Sequence, residues 1–256
     1  MLMLRRLLLR SSSSSIMAAA LHGHRFLSPN PQIQVFTRHF LDLHKIGSKE
    51  AIEKEKARIS DELSRGYFAD ISEIRKNGGK IAMANKTVIP SMAAVKFPDV
   101  EVSFSDGRSL RLPISSEQAV TDASDVGVSL VCLSFRANSQ AMAESWTAPF
   151  LDAFSTSGKV QVYEVSFIDN WLLSLAPVRK LFLKVMKKSN IPLRHIVYSF
   201  GDHYDLRKNL QILNLLTGYI FLLDRLGRVR WQGFGFATQD ELSSLLTCTS
   251  FLLNEK

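Results

Sequence analysis

Apolar and polar positions alternate along "DVEVSFSDGRSLRLPI" (Asp99 to Ile114), on both sides of Asp106-Gly107. Alternation of period two interrupted by Asp-Gly predicts a β-hairpin. The pattern then changes. "GVSLVCLSF" (Gly127 to Phe135) is a nearly unbroken apolar run of β-formers, as expected of a central strand covered on both faces. "KVQVYEVSF" (Lys159 to Phe167) and "RHIVYSF" (Arg194 to Phe200) predict two further strands. Helical segments separate them. Ala137 to Phe154 is expected to be a helix, with Asn138 or Ser139 as its cap and a bend at Pro149. Asn170 to Lys188 predicts a helix or a helix pair kinked near Pro177. Tyr204 to Asn214 predicts another helix.

The closing stretch, "TGYIFLLDRLGRVRWQGFGFATQDE" (Thr217 to Glu241), predicts strands at Tyr219–Leu223 and Arg228–Phe234 around a turn at Asp224–Gly227. Gly227 supplies the positive φ such a turn demands. Thr238 and Glu241 stand in capping-box spacing before a last helix, whose inner face carries Leu242, Leu245, Leu246 and Thr249. A hairpin, two parallel crossovers, then a hairpin and helix specify an α/β fold: a thioredoxin-like three-layer sandwich on a mixed central sheet.

Upstream, Ser48 to Arg65 predicts a helix whose apolar stripe is narrow: Ile52, Ile59 and Leu63. It suits a solvated arm held at one edge, or a helix that binds a partner. Pro90 to Pro98 is expected to be a loop. The expected organisation is a disordered presequence over residues 1–40, a helical arm and linker over 41–96, and the thioredoxin-like domain over 97–256.

Charge separates the first segment from the rest. Residues 1–41 hold five arginines and no acid, so they account for five of the net +8 and leave +3 on the remainder. "MLMLRRLLLRSSSSS" has the Arg-, Ser- and Leu-rich, acid-free composition of an organelle transit peptide, and "TRHF" predicts mitochondrial processing after Phe40. A chloroplast signal and an ordinary basic N-terminus are the alternatives. The modest charge of the remainder, without aromatics interleaved in a basic groove, argues against a nucleic-acid binder. No stretch reaches the roughly 18 uninterrupted apolar residues of a membrane span.

Thiol chemistry in this fold needs a Cys just after the first central strand, at a helix N-terminus where the dipole favours thiolate. That position reads "SFRANSQAM", and the two cysteines, Cys132 and Cys248, lie elsewhere. Where thioredoxins place a proline before the penultimate strand, this chain has Gly218. An oxidoreductase using Cys132 is kept as the alternative function. Asp202, His203 and Asp205 sketch a metal site, although a polar turn explains them as well. No phosphate-cradling loop, nucleophile elbow or zinc-protease motif occurs, so no catalytic residue, cofactor or metal is expected. Trp171 to Lys188 is basic and amphipathic, which fits either a core helix with a solvated basic side or a helix lying on an anionic membrane face.

"VYEVSFIDNWLL" and the closing stretch resemble the mitochondrial assembly chaperones of the membrane-embedded Fo sector of ATP synthase. The resemblance spans roughly residues 42 to 253. It rests on Asn170-Trp171, Gly218-Tyr219, Asp224, Gly227, Arg230-Trp231, Gly235 and Thr238. It implies a matrix-side protein at the mitochondrial inner membrane, peripherally attached. Its expected partner is the Fo a subunit (subunit 6), which it would help to join the rotor ring without acting as an enzyme. Whether the motif residues are structural or touch the client is left open by the resemblance.

Overall fold

The computed structural model describes residues 67–76, 80–114, 126–169, 176–186 and 189–255, with 53, 56, 57 and 60. The chain divides into two units, 1–56 and 57–256. The expected presequence, most of the helical arm, Asn170 and Trp171 lie outside the described residues.

Among the described residues of the second unit, the elements in chain order are α1 (Tyr67–Lys76), β1 (Val100–Phe104), β2 (Ser109–Leu112), β3 (Val128–Ser134), α2 (Asn138–Phe154), β4 (Val160–Ile168), α3 (Ala176–Val185), β5 (Arg194–Phe200), α4 (Tyr204–Asn209), β6 (Tyr219–Asp224), β7 (Val229–Phe234) and α5 (Gln239–Asn254). One seven-stranded sheet runs β2-β1-β5-β4-β3-β6-β7. β3, β4 and β5 are parallel, and the two hairpins pair antiparallel at either side. The core β4-β3-β6-β7, with α2 crossing between β3 and β4 and α5 closing the chain, is the thioredoxin-like arrangement.

The alternation of β3 sorts its side chains between two cores. Val128, Leu130 and Cys132 join Trp146 and Phe150 of α2 and Leu242, Leu245 and Cys248 of α5 on one face. Val131 and Leu133 join Phe97, Val102, Leu112, Leu206 and Ile212 on the other. A sheet covered on both faces explains why β3 and β6 are mostly apolar, Ser129, Ser134 and Asp224 apart.

Two expectations change. Ala137 occupies the α2 cap position with no side-chain cap bond, and Ser139 turns elsewhere. Pro177 lies in the first turn of α3, where its missing N–H costs nothing; residues 170–175, on which the expected kinked pair depends, lie outside the described residues. The helix predicted over Tyr204–Asn214 stops at Asn209, and Gln211 follows with φ 54°. Asn214 is the cause: its buried amide donates to Glu73 of α1 (3.1 Å) and its Oδ1 accepts from Leu216 N (3.0 Å), partners a continued helix would deny it.

Candidate functional site

The site begins at the end of β3, where a redox enzyme of this fold would carry its thiols. Phe135 stacks on Phe167 at 4.5 Å and 9° between ring planes. Ser139, wholly buried, donates from Oγ to the carbonyl of Thr217 at 3.2 Å. Gly218 N donates to the Met142 sulfur at 3.3 Å. A β-carbon on Gly218 would lie 3.2 Å from that of Met142, so the glycine allows α2 to sit against the β6 entry. Hydroxyl, thioether and phenyl groups therefore close the place that a dithiol would open.

Both cysteines are free and buried in the core between sheet and helices. Burial first, then the neighbouring Glu164 carboxylate, pushes the Cys132 thiol well above its ordinary range. Burial raises Cys248 as well. Thiolate, the reactive form, is disfavoured at both. Glu164 itself, a charge the sequence pattern did not single out, is held by Arg194 (2.8 and 3.0 Å) and the Thr147 hydroxyl (2.9 Å).

Next to Phe167 stands a polar trio. His203 meets the Phe167 ring at 4.5 Å, its Nδ1 lies 3.3 Å from Asp169 and its Nε2 lies 2.8 Å from the Ser199 hydroxyl. The residue types match a hydrolytic triad, but the proton direction does not. Ser199 is buried and donates its single hydroxyl proton to the carbonyl of Glu101 at 2.8 Å, so it accepts from His203. A nucleophile needs the reverse. The trio ties β1, β5 and the end of β4 together. Burial works to raise the Asp169 carboxyl, but the His203 bond and charge, with Arg207 and Arg136, hold it below the usual range. Asp202 caps Tyr204 N at 3.0 Å instead of joining His203, and among the described residues no group of three His, Cys, Asp or Glu side chains is placed to hold a metal.

The motif residues assemble around β7. Asp224 Oδ1 accepts from the amides of Leu226 and Arg228, both at 3.0 Å, shaping the turn. Gly227 completes it with φ +72°. Asp224 Oδ2 accepts from Arg228 Nε (2.8 Å) and Arg230 Nη1 (3.2 Å). Arg230 is buried to 1% exposure and binds Glu255, at the end of α5, through two nitrogens at 2.7 and 3.1 Å. Its Nε donates to the carbonyl of Ile89 at 2.7 Å. Trp231 Nε1 donates to the carbonyl of Asn85 at 2.6 Å, and its ring meets Trp146 edge-on at 5.5 Å. Glu241 completes the box with Thr238 and also binds Lys80 and the amide of Ala84 (3.0 Å).

These contacts share one consequence. The stretch 80–97 lies along the outer edge of β7, bonded by Asn85 N to Gln232 O (2.9 Å), Ile89 N to Arg230 O (2.7 Å), Val229 N to Val95 O (2.8 Å) and Phe97 N to Gly227 O (2.9 Å). The Pro90–Pro98 loop is thus an irregular strap that satisfies a strand edge otherwise left open. Gly218, Tyr219 and Gly235 do related work one strand away. Tyr219 OH donates to Asn214 O (2.9 Å), and Gly235 O accepts from Trp146 Nε1 (2.7 Å). Gly218, Tyr219 and Gly235 thus hold the β6 side, and Asp224, Gly227, Arg230, Trp231 and Thr238 hold the turn, strap and last helix.

With that arrangement established, the sequence profile of the ATP10 protein family matches residues 27–252. The chain belongs to the ATP10 protein family. Membership makes it an ATP synthase assembly protein. No curated protein matches the chain. Similar solved structures include a putative thiol:disulfide interchange protein DsbE from Chlorobium tepidum, 17% identical over 63% of this chain and 97% of that one, with TM-score 0.40. A putative protein disulfide isomerase from Bacteroides thetaiotaomicron is 13% identical over 63% and 90%, TM-score 0.40. BsSco, a member of the Sco family of cytochrome c oxidase assembly proteins, is 10% identical over 66% and 99%, TM-score 0.45. Among the described residues, no helix is long and apolar enough to cross a membrane.

Proposed function

We propose that this protein is a non-enzymatic chaperone of mitochondria, acting on the matrix side of the inner membrane, that helps the Fo a subunit join the rotor ring of ATP synthase. Family membership supports the assembly role. The acid-free, arginine-rich first 41 residues support import. The observation that carries the non-enzymatic reading is the closed end of β3. There Ser139 and Thr217 are bonded to each other, and the nearest thiol, Cys132, is buried inside the strand.

Depletion of the protein in intact mitochondria tests the reading. F1 is expected to assemble normally while the a subunit fails to enter Fo, and crosslinking is expected to capture the a subunit on this protein. Normal Fo with a different respiratory complex missing would overturn it.

A further inference from the structure

Helix α3 carries a wider apolar arc than its fold covers. Leu183 is buried, and with Phe182 and Met186 it packs on Ile196 and Tyr198 of β5. The Phe182 ring meets Tyr198 at 6.2 Å and Phe200 at 5.9 Å, and Arg179 lies over Phe200 at 5.9 Å. This is the inward face, and it is complete. At 100° per residue, Val178, Leu181 and Val185 fall within an arc of about 60° that adjoins the packed face on its Phe182 side. They are 37%, 67% and 77% exposed. Lys180 and Lys184, both exposed, border this arc on one side.

We propose that the outer stripe of α3 seats the protein on an anionic bilayer surface, with Val178, Leu181 and Val185 against the acyl boundary and the two lysines at the phosphate level. Charge selects this occupant. Between Asp169 and Asp202 the chain holds six Lys or Arg residues and no acid, so nothing beside the stripe in sequence repels phosphate. A long aliphatic stem lets a lysine beside an apolar stripe reach up to headgroups while its methylenes stay with the lipid. The helix is ten residues long, about 15 Å, enough to lie along an interface and too short to enter further. The proposal rests on the membrane-side role above and specifies how the protein reaches that membrane: directly, without its client.

The test uses the full chain with Cys132 and Cys248 replaced by alanine and a single new cysteine carrying an environment-sensitive fluorophore. Leu181→Cys and Val185→Cys place the dye on the stripe, and Phe251→Cys places it on the exposed side of α5 as a control. The dye reports its own site, so lipid binding by the basic N-terminus alone does not mimic the signal. With vesicles of phosphatidylcholine plus phosphatidylglycerol, dyes at 181 and 185 are expected to shift to the blue and the dye at 251 to stay unchanged. Lys180→Glu with Lys184→Glu is expected to weaken the 181 response at least about tenfold in lipid concentration. An unshifted dye at 181, an equal shift with pure phosphatidylcholine, or a response indifferent to the lysine changes would overturn the proposal. No ATP synthase subunit is present, so a negative result leaves the assembly role standing.

Discussion

Arg230 and Asp224 face each other at 3.2 Å on the two strands of the last hairpin, and the same guanidinium reaches Ile89 in the strap. One side chain thereby joins the hairpin to a segment 141 residues earlier. Breaking a buried ion pair by removing one partner costs about 3–5 kcal/mol, because the other charge loses its compensation. Arg230→Ala is expected to lower stability by about that much in urea unfolding, and Arg230→Lys by a smaller amount, since one ammonium cannot serve Ile89, Asp224 and Glu255 together.

The strap offers a separate readout. Trp231→Phe keeps an aromatic ring beside Trp146 but removes the indole N–H, with its bonds to Asn85 and Ser244, and part of a buried ring system. A neutral hydrogen bond is worth about 1 kcal/mol. The variant is expected to stay folded, with trypsin cutting after Lys86 faster than in the parent protein.

Asp224 and Glu241, together with Asp169, give stability a pH dependence. Burial would raise Asp224, but its bonds from Arg228, Arg230 and Leu226 hold it below the usual carboxylate range. Burial opposes Lys80, the Ala84 amide and Thr238 at Glu241, and they too win. A carboxyl lowered in the folded state stabilises above its unfolded value, about 4, and that contribution disappears as pH falls through the folded value. The urea midpoint is expected to hold between about pH 7 and 5 and to drop below about pH 4. Glu241→Gln is expected to start lower at neutral pH and to lose less on the same acid titration.

Gly227 combines a φ of +72° with a packing constraint: a β-carbon there would meet Pro113 Cγ at 2.6 Å. Gly227→Ala is expected to cost more than the roughly 1–3 kcal/mol of a strained turn alone, measured by thermal or urea unfolding.

Much of this fold was legible because its devices are local. The strands announced themselves by run length and alternation, the 106–107 turn by Asp-Gly, and the α5 start by Thr238 and Glu241. The candidate site was legible only in part. Asp224 and Gly227 shape a turn within their own few residues. The other partners of Arg230, Trp231 and Glu241 lie up to 161 residues away, and no periodicity connects them. His203 pointed to Asp202 and Asp205 in sequence, yet pairs with Asp169 across the sheet end because β4 and β5 finish side by side. Ser139 suggested a helix cap and became a bridge to Thr217, a contact that exists only once α2 packs on β6.

The central claim is that the scaffold works through its surface with no sulfur chemistry. The most direct measurement replaces Cys132 and Cys248 together with alanine in the otherwise intact protein, in mitochondria lacking the native copy, and quantifies assembled ATP synthase. Assembly equal to that given by the unmodified protein is the predicted result. Loss of assembly by a double variant that remains folded and correctly imported would contradict it.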